Sequence, residues 1–370
     1  MSVRIGIVAG EPSGDLLGAE IVHALRVFFP DATFEGVGGP KMIQAGVTSL
    51  FPMEKLSVMG FTEVLMRVPE LLRLRKTVKE HFLQNPPDIY IGVDSPDFNL
   101  PIETALKKKN IKTVHCNSPT IWAWREKRIL KIKKAVDLML VLFPFEKKYY
   151  DTAGIQAVYI GHVLADHIPL ETKPFPSQKT VALLPGSRKG ELKYIGPTLL
   201  KAAQILFKKY PDIIFLSPMA SQARYDEFFS QYQLLAPDLP LKITVGNTRE
   251  VMEASSVIAL ASGTATLEGM LVKRPMVVLY QGSHISYWIA KNLVKIKQVS
   301  LPNILSGEKL IPEFIQYEAR PEKIASSVEY YFEHPEKVKE LQQRFTEIHR
   351  TLRCNAAESA ARAISDLCRR

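Results

Sequence analysis

Runs of consecutive apolar residues alternate with segments of helical periodicity along the whole chain. In the first half, the apolar runs predict strands at residues 3–9, 88–93, 113–116, 138–142 and 158–160. A second series predicts strands at residues 180–184, 213–216, 242–245, 257–261 and 276–279. Helical patterns lie among them, including residues 15–29, 101–109 and 197–209. Strands that are apolar on both faces need helices on both faces, so the pattern predicts doubly wound parallel sheets of the α/β class.

The two series of strands are separated by residues 168–179, which contain three prolines and no periodic apolar face. This segment is predicted to be a linker between a first domain, residues 1–167, and a second domain, residues 180–345. The C-terminal helix, residues 346–370, is expected to pack back on the first domain or on a partner subunit. Two such domains would face a cleft, and ligands of doubly wound sheets bind beyond the carboxyl ends of the strands.

The composition indicates which partners the protein could bind and where in the cell it is expected to work. The formal net charge is +10, and residues 105–134 alone carry ten basic residues and one acid. This patch favours phosphates, nucleic acid or an anionic membrane surface, although a solvated lysine-rich face is the ordinary alternative. The three cysteines have no metal-ligand spacing, and their odd number argues against a disulfide framework, so a cytoplasmic location is expected. No apolar run reaches about 18 residues, so no segment is expected to span a bilayer.

Two loops of the first domain follow predicted strands and carry acids. The loop at residues 10–15 lacks the G-x-G-x-x-G spacing of dinucleotide sites, and its acids would repel a pyrophosphate. It is therefore interpreted as a sugar- or acceptor-binding turn, with a capped strand-to-helix turn as the alternative. The candidate acceptor-side residues here are Glu11, Ser13, Gly14 and Asp15.

The second loop, residues 94–99, supplies Asp94, Asp97 and Asn99 at the end of the strand 88–93. A transfer reaction in which a hydroxyl attacks needs a base that takes the hydroxyl proton, and either aspartate could serve. A turn stabilised by Asp and Asn side chains is the alternative. His162, at a further strand end, is an additional acceptor-side candidate.

The second domain offers two loops that suit a nucleoside diphosphate. After the strand 180–184 come Gly186, Ser187 and Arg188, where an arginine beside the amides of a tight turn would stabilise the leaving diphosphate; a surface turn is the alternative. After the strand 257–261, small residues begin a helix whose amides could hold the same group, and an acid one turn later could accept hydrogen bonds from ribose hydroxyls. These candidates are Ser262, Gly263, Thr264 and Glu268.

An amphipathic helix is predicted at residues 61–76. Its apolar residues recur at spacings of three and four and have basic neighbours, a pattern typical of an interfacial helix, although packing on the protein core is equally compatible. Pro69 is expected to break or kink this helix. The predicted membrane contacts are Phe61, Val64, Leu65, Val68 and Leu72.

Taken together, these segments resemble the lipid-A-disaccharide synthase family, in chain order and over nearly the whole length. The matching segments are Gly10-Glu11-Pro12-Ser13-Gly14-Asp15, Val58-Met59-Gly60, Asp94-Ser95-Pro96-Asp97-Phe98-Asn99, Trp122-Ala123-Trp124-Arg125, Phe143-Pro144-Phe145-Glu146-Lys147, Ile160-Gly161-His162, Leu184-Pro185-Gly186-Ser187-Arg188, Ser262-Gly263-Thr264-Ala265-Thr266-Leu267-Glu268, Val299-Ser300-Leu301-Pro302-Asn303 and Arg353-Cys354-Asn355-Ala356.

The resemblance implies a GT-B fold of two Rossmann-like domains and a metal-independent, cofactor-free transfer. The implied reaction joins UDP-2,3-diacylglucosamine to 2,3-diacylglucosamine 1-phosphate (lipid X), giving a β-1,6-linked disaccharide 1-phosphate and UDP. The family pattern favours Asp94 as the base and Arg188 as a donor-phosphate contact. It places Glu268 and Asn303 in the donor pocket. It also adds Met59 and Trp124 to the acceptor side.

The resemblance further implies membrane contact through residues 61–72, at the cytoplasmic face of the inner membrane, and a homodimer formed by swapping C-terminal parts. No nucleic-acid partner is implied. Two other readings remain open at the level of sequence. One is a different enzyme of the same fold, such as a transferase of peptidoglycan precursors or a UDP-sugar epimerase. The other is a non-catalytic protein that binds lipid or nucleic acid through the basic patch.

Overall fold

The computed structural model describes residues 3–56, 61–122, 127–283 and 298–369, without the side chains of residues 61–66. The chain forms two compact units. The first contains residues 1–166 and 351–370, and the second contains residues 167–350. The chain therefore leaves the first unit once and returns to it near its end.

The described part of the first unit contains a seven-stranded, wholly parallel sheet. Its strands are β1 Arg4–Ala9, β2 Thr33–Val37, β3 Val47–Ser49, β4 Ile89–Val93, β5 Lys112–Cys116, β6 Leu138–Val141 and β7 Ala157–Tyr159. Its helices are α1 Pro12–Phe28, α2 Pro40–Gln44, α3 Phe61–Gln84, α4 Pro96–Lys107, α5 Arg128–Ala135, α6 Lys147–Thr152 and α7 Val163–His167, the last of which ends at the unit boundary.

The strand order of the first sheet is β3-β2-β1-β4-β5-β6-β7. The order reverses between β1 and β4, so a ligand site is expected beyond the carboxyl ends of these two strands. All five residues of β4 are buried, as predicted for a strand covered on both faces. On one face α1 packs with the C-terminal helix α15, Ala356–Cys368, whose Ile364 lies in the same apolar core as Ile21.

The second unit contains, in its described residues, a six-stranded parallel sheet of order β10-β9-β8-β11-β12-β13. The strands are β8 Thr180–Leu184, β9 Ile214–Met219, β10 Leu241–Val245, β11 Val257–Ala261, β12 Met276–Tyr280 and β13 Glu313–Ile315. The helices are α8 Lys189–Lys209, α9 Gln222–Leu235, α10 Thr248–Glu253, α11 Ala265–Leu271, α12 Leu301–Ser306, α13 Pro321–Glu333 and α14 Pro335–Leu352, and the last returns the chain to the first unit. Here the strand order reverses between β8 and β11.

Residues 168–179, which were predicted to link the two domains, belong to the second unit. Two buried cations hold this segment in place. Lys273 Nζ donates to the carbonyl oxygen of Pro169 at 2.7 Å, and Arg274 Nη2 donates to that of Pro174 at 2.9 Å. The Arg274 guanidinium also lies 4.3 Å from the centre of the Phe175 ring. These contacts supply the order that the proline-rich sequence does not predict.

The expected helix break at Pro69 does not occur, because α3 runs without interruption from Phe61 to Gln84. A proline inside a helix removes one backbone hydrogen bond. Residues 68–70 are exposed, so the proline ring lies on the solvent side of the helix. The helix therefore tolerates Pro69 at its solvent-facing side.

Candidate functional site

The loops after β1 and β4 meet at the point where the first sheet reverses its order. A β-carbon added at Gly10 would lie 2.5 Å from Ser95 Oγ and 3.3 Å from Ser95 Cβ. One added at Gly14 would lie 3.7 Å from Asp94 Cβ. The two loops that sequence analysis singled out separately therefore form one structure, and glycine at position 10 permits their close approach.

Asp94 stands in a turn that is unusual for residues with side chains. Asp94 has φ 56° and Ser95 has φ 44°, both in the left-handed region. The backbone N–H of Asp94 donates to the carbonyl of Cys116 at 2.8 Å, and Asp94 Oδ1 accepts from the N–H of Ser95 at 2.9 Å. Such backbone conformations cost about 1–3 kcal/mol each and persist where surrounding contacts impose them, often at functional sites.

Asp97, the alternative base, has a different environment. Its carboxylate receives a hydrogen bond and an ion pair from the guanidinium of Arg128. Its backbone carbonyl accepts from Arg75 Nη1 at 3.0 Å. In the described residues, the Asp94 carboxylate has the Ser95 N–H as its hydrogen-bond partner and no arginine. Because the arginine occupies an Asp97 oxygen that a substrate hydroxyl would need, whereas the described residues give the Asp94 carboxylate no such partner, the geometry favours Asp94 as the base.

Asp15 corrects one acceptor-side prediction, because its carboxylate turns inward. Oδ1 accepts from the N–H groups of Gly39 and Met42, both at 2.9 Å, and Oδ2 accepts from that of Lys41 at 3.0 Å. The residue is 3% exposed and satisfies the free amides at the start of α2. By contrast, Glu11 and Ser13 of the same loop are exposed. They are the members of the loop that a ligand can reach.

Asn99 corrects a second acceptor-side prediction, since it is fully buried. Its Oδ1 accepts from the Tyr90 hydroxyl at 2.9 Å. Its Nδ2 donates to the carbonyl oxygens of Asp94 at 2.9 Å and of Val8 at 3.3 Å. In this structure the Asn99 side chain is therefore used to hold the turn at residues 94–95.

His162 lies where the chain returns to the first unit. Its backbone N–H donates to the carbonyl of Leu352 at 2.9 Å, and its Nδ1 accepts from the N–H of Leu164 at 3.2 Å. The ring stacks on Phe143, with centroids 5.8 Å apart. Burial lowers the pKa of His162 to about 4, so the imidazole is neutral near pH 7. It is therefore not a cationic ligand for a phosphate.

A buried carboxyl group near this histidine was not singled out as a site residue by sequence reasoning. Glu146 is 2% exposed and accepts from Trp122 Nε1 at 3.2 Å and from the backbone N–H of Phe143 at 3.1 Å. Burial raises its pKa to about 7, against the lowering effect of these hydrogen bonds. The sequence feature that could have identified Glu146 is its place in the segment 143–147, which resembles the family and follows the carboxyl end of β6.

Several predicted contacts cannot be placed. Met59 and Trp124 lie outside the described residues, as do the side chains of Phe61, Val64 and Leu65. The two remaining predicted membrane contacts are exposed: Val68 by 36% and Leu72 by 47%.

In the second unit, the loop after β8 is fixed by one glutamate at the start of α8. Glu191 accepts from the backbone N–H of Arg188 at 3.2 Å and from its Nη1 at 3.1 Å. Gly186 has φ 108°, and an added β-carbon would lie 2.6 Å from Glu191 Cβ. Ser187 is exposed, and the Arg188 side chain is 68% exposed. The loop is therefore rigid in its backbone while its guanidinium is open to solvent.

The loop after β11 lies beside it, because β8 and β11 are neighbours in the sheet. Gly263, with φ 153°, and Thr264 are exposed, whereas Ser262 Oγ donates to the carbonyl of Val299 at 2.6 Å. Glu268 is half-buried, and burial raises its pKa while the positive charge of Arg249 opposes the rise. Exposed residues thus occur in the loops after both β8 and β11, the two strands between which the order of the second sheet reverses.

Asn303 corrects the prediction of a direct donor contact, because it is fully buried. Its Oδ1 accepts from the N–H groups of Leu310 at 2.8 Å and Ile311 at 3.0 Å. Its Nδ2 donates to Glu313 Oε1 at 2.9 Å, and the same oxygen accepts from the N–H of Ser300 at 2.9 Å. Asn303 therefore holds the segment before α12 against β13.

Two searches of the described residues gave no candidates. No group of three or more His, Cys, Asp or Glu side chains there is arranged to hold a metal ion. No helix in the described ranges is long and apolar enough to cross a bilayer.

Comparisons with known proteins agree with these observations. The family model described as "Lipid-A-disaccharide synthetase" matches residues 5–364. The lipid-A-disaccharide synthase of Aeromonas hydrophila is 48% identical over 374 residues, covering 99% of this chain and 98% of that protein. The corresponding protein of Haemophilus ducreyi is 46% identical over 379 residues, covering 99% and 97%.

Solved structures support the fold. The UDP-GlcNAc 2-epimerase of Neisseria meningitidis, solved with UDP-GlcNAc, aligns with a TM-score of 0.65 at 12% identity and covers 99% of both chains. The glycotransferase of kitacinnamycin aligns with a TM-score of 0.64 at 14% identity, again over 99% of both chains. The predicted GT-B class, two Rossmann-like parallel-sheet units, is therefore confirmed.

Proposed function

The chain belongs to the lipid-A-disaccharide synthase family, and on this premise we propose the substrates, the linkage and the residues of its reaction. It is a hexosyltransferase of lipid A biosynthesis. We propose that it transfers 2,3-diacylglucosamine from UDP to the 6-hydroxyl of 2,3-diacylglucosamine 1-phosphate, with inversion at the anomeric carbon. The products are the β-1,6-linked disaccharide 1-phosphate and UDP. The observation that supports this proposal is that loops with exposed polar residues follow the strands at the strand-order reversal of both sheets.

The base in this proposal is Asp94. Inversion requires a group that removes the proton of the attacking hydroxyl while the bond to the leaving diphosphate breaks. Asp94 is supported by its half-buried position beside the loop that carries Glu11 and Ser13. Its carboxylate is not paired with an arginine in the described residues, unlike that of Asp97. The exposed Glu11 and Ser13 would bind hydroxyl groups of the acceptor sugar.

The leaving UDP is assigned to the second unit. Negative charge grows on the β-phosphate as the sugar departs, and preorganised donors stabilise it without reorganisation. Arg188 would supply the charge, and the exposed backbone at Ser187, Gly263 and Thr264 would supply amide donors. Glu268 would accept from the ribose hydroxyls, a role that a carboxylate in a partly buried setting can fill.

The diacylated substrates imply contact with a membrane surface, which we assign to α3 and α5. Val68 and Leu72 stand four residues apart on α3 and are exposed. On α5 and just before it, Lys127, Lys131 and Lys134 are exposed at helical spacing. Apolar and cationic side chains of this kind suit an anionic bilayer, here the cytoplasmic face of the inner membrane.

Vesicle flotation tests this contact. Leu72→Glu is expected to reduce binding to phosphatidylglycerol vesicles severalfold, because it places a negative charge at the lipid surface. Leu234→Glu is the matched control, since Leu234 is 81% exposed on α9 of the second unit. Equal binding by the two variants would remove α3 from the proposed contact.

A homodimer formed by exchange of the C-terminal residues is a further part of the proposal. Its support is that residues 351–370 form a separate segment that packs on α1 after the chain returns to the first unit. Light scattering after size-exclusion chromatography would give twice the chain mass for such a dimer. A variant cut before residue 351 should then be monomeric.

The reaction itself is tested with purified protein and both lipid substrates. UDP release should require donor and acceptor together, and the product should carry one phosphate and a β-configured 1,6 bond by mass spectrometry and NMR. Conversion of the UDP-sugar without acceptor would indicate an epimerase instead. RNA added in excess should leave the rate unchanged if the basic surface serves lipid.

The choice of base has its own test. Asp94→Asn should reduce kcat by about 10³-fold, within the range for loss of a general base, whereas Asp97→Asn should retain most of it. The opposite ranking would transfer the role to Asp97. The Asn variants keep the size of the side chain, so changes in packing do not enter the comparison.

A further inference from the structure

The catalytic turn of the first unit holds two consecutive residues in a backbone conformation that ordinary side chains avoid. Asp94 and Ser95 both have positive φ values, 56° and 44°. An isolated segment would relax to negative φ, which would redirect the Asp94 carboxylate. Something in the surrounding structure must therefore hold this turn.

Asn99 is placed to do so. Its Nδ2 donates at 2.9 Å to the carbonyl oxygen of Asp94, the residue whose backbone is in the left-handed region. The same amide nitrogen donates at 3.3 Å to the carbonyl of Val8 on β1. One side chain thus ties the turn after β4 to the strand that leads into the loop 10–15. Both hydrogens of the amide have a carbonyl acceptor.

The orientation of this amide is itself fixed. Asn99 Oδ1 accepts from the Tyr90 hydroxyl at 2.9 Å, and both residues are fully buried. The carbonyl oxygens of Asp94 and Val8 can only accept, so the amide nitrogen must face them, and the amide oxygen then faces the Tyr90 hydroxyl, which donates to it. Gly92 allows this arrangement, since an added β-carbon would lie 2.9 Å from Asn99 Cβ.

We propose that Asn99 is a positioning residue for the base, and that its side-chain amide holds Asp94 in the left-handed turn from which its carboxylate reaches the acceptor hydroxyl. This inference rests on the proposed role of Asp94. Asn99 itself touches no substrate. Its effect on the rate should therefore pass entirely through Asp94, without a change in how tightly the donor binds.

Asn99→Asp is the direct test, because it keeps the shape of the side chain and replaces the donor nitrogen by an oxygen that faces two carbonyls. The expected result is a loss of kcat of about 100-fold, the size of effect that a displacement of about 1 Å produces, with KM for the donor within about twofold of the original. Tyr90→Phe should cost less than tenfold, since both amide donors of Asn99 remain.

Thr113→Val is the matched control. Thr113 is likewise fully buried in the first unit, and its hydroxyl donates to the carbonyl of Ala135 at 2.8 Å. It lies near the amino end of β5, away from the turn. This variant should lose stability but keep kcat. If Asn99 matters only for folding, both variants will keep kcat at a temperature where they are folded.

The double variant separates positioning from an independent effect. If Asn99 acts through Asp94, adding Asn99→Asp to Asp94→Asn should not lower kcat further. A further loss of the same factor, or an Asn99→Asp kcat within threefold of the original, overturns the proposal. Asn99→Ser replaces Asn99→Asp in each comparison if the latter does not fold. Full activity of Asp94→Asn alone would instead overturn the base assignment.

Discussion

Gly10 offers a test of whether the two loops of the first unit act as one site. In Gly10→Ala, the new methyl group would lie 2.5 Å from Ser95 Oγ and 3.3 Å from Ser95 Cβ. The hydroxyl can rotate away, but the β-carbon is fixed to the backbone, so the turn that carries Asp94 must move. Overpacking of this kind costs about 1–3 kcal/mol.

The kinetic effect follows from that cost. If most of this free energy raises the activation barrier, kcat should drop by roughly fivefold to 100-fold, since about 1.4 kcal/mol corresponds to a factor of ten. Ser95→Gly removes both colliding atoms and accepts a φ of 44° without strain. The double variant Gly10→Ala with Ser95→Gly should therefore recover most of the lost rate.

The assay is UDP release under saturating donor and acceptor, with Gly190→Ala as the matched control. A β-carbon at Gly190 has no atom within 4 Å, so this variant should behave like the original protein. The reasoning is refuted if Gly10→Ala is as active as Gly190→Ala. It is also refuted if Ser95→Gly fails to restore any activity, because the collision with Ser95 would then not be the cause.

Two further predictions concern pH and the second unit. Burial raises the pKa of Glu146 from 4.5 to about 7, so the stability it contributes below pH 4.5 is lost as the pH rises through 7, in total about 3 kcal/mol. Burial lowers the pKa of His162 from 6.5 to about 4, so its contribution is lost as the pH falls from 6.5 to 4, and the two effects oppose each other between pH 4.5 and 6.5. Urea unfolding should show that Glu146→Gln becomes more stable with rising pH across that window relative to the original protein; parallel profiles would contradict the assignment. Gly186→Ala should weaken UDP binding about tenfold, because alanine at φ 108° is strained and its methyl group would meet Glu191; an affinity equal to that of Gly190→Ala would show that the loop is not rigid there.

The sequence predicted ten of the thirteen described strands, including the edge strands β7 and β10, and missed β2, β3 and β13. β4, β8 and β11 are buried on both faces, so their sequences are continuous apolar runs that need no tertiary knowledge to find. The edge strands β3 and β13 are only three residues long and offer no such run. These strands form because they pair with a neighbouring strand, and a local sequence pattern carries no information about that neighbour.

The loops that carry the candidate residues could be predicted from the sequence, but the direction of each side chain could not. Glycines and acids after β1 and β4 predicted two loops that the structure brings together, because the carboxyl ends of neighbouring parallel strands lie at one edge of the sheet. Asp15, Asn99 and Asn303 have the residue types of ligand contacts, yet each turns inward to backbone groups. Short polar side chains serve both purposes equally well, and only the three-dimensional neighbours distinguish them.

The central claim is that the second unit binds UDP while the first unit supplies the base, and the affinity for UDP tests it most directly. Isothermal titration of UDP into Arg188→Ala should show a Kd raised by about 10- to 100-fold, as expected for loss of a hydrogen bond to a charged group worth about 1.5–3 kcal/mol. Asp94→Asn should bind UDP within about twofold of the original protein. Equal loss of affinity in both variants, or unchanged affinity in Arg188→Ala, would contradict the account.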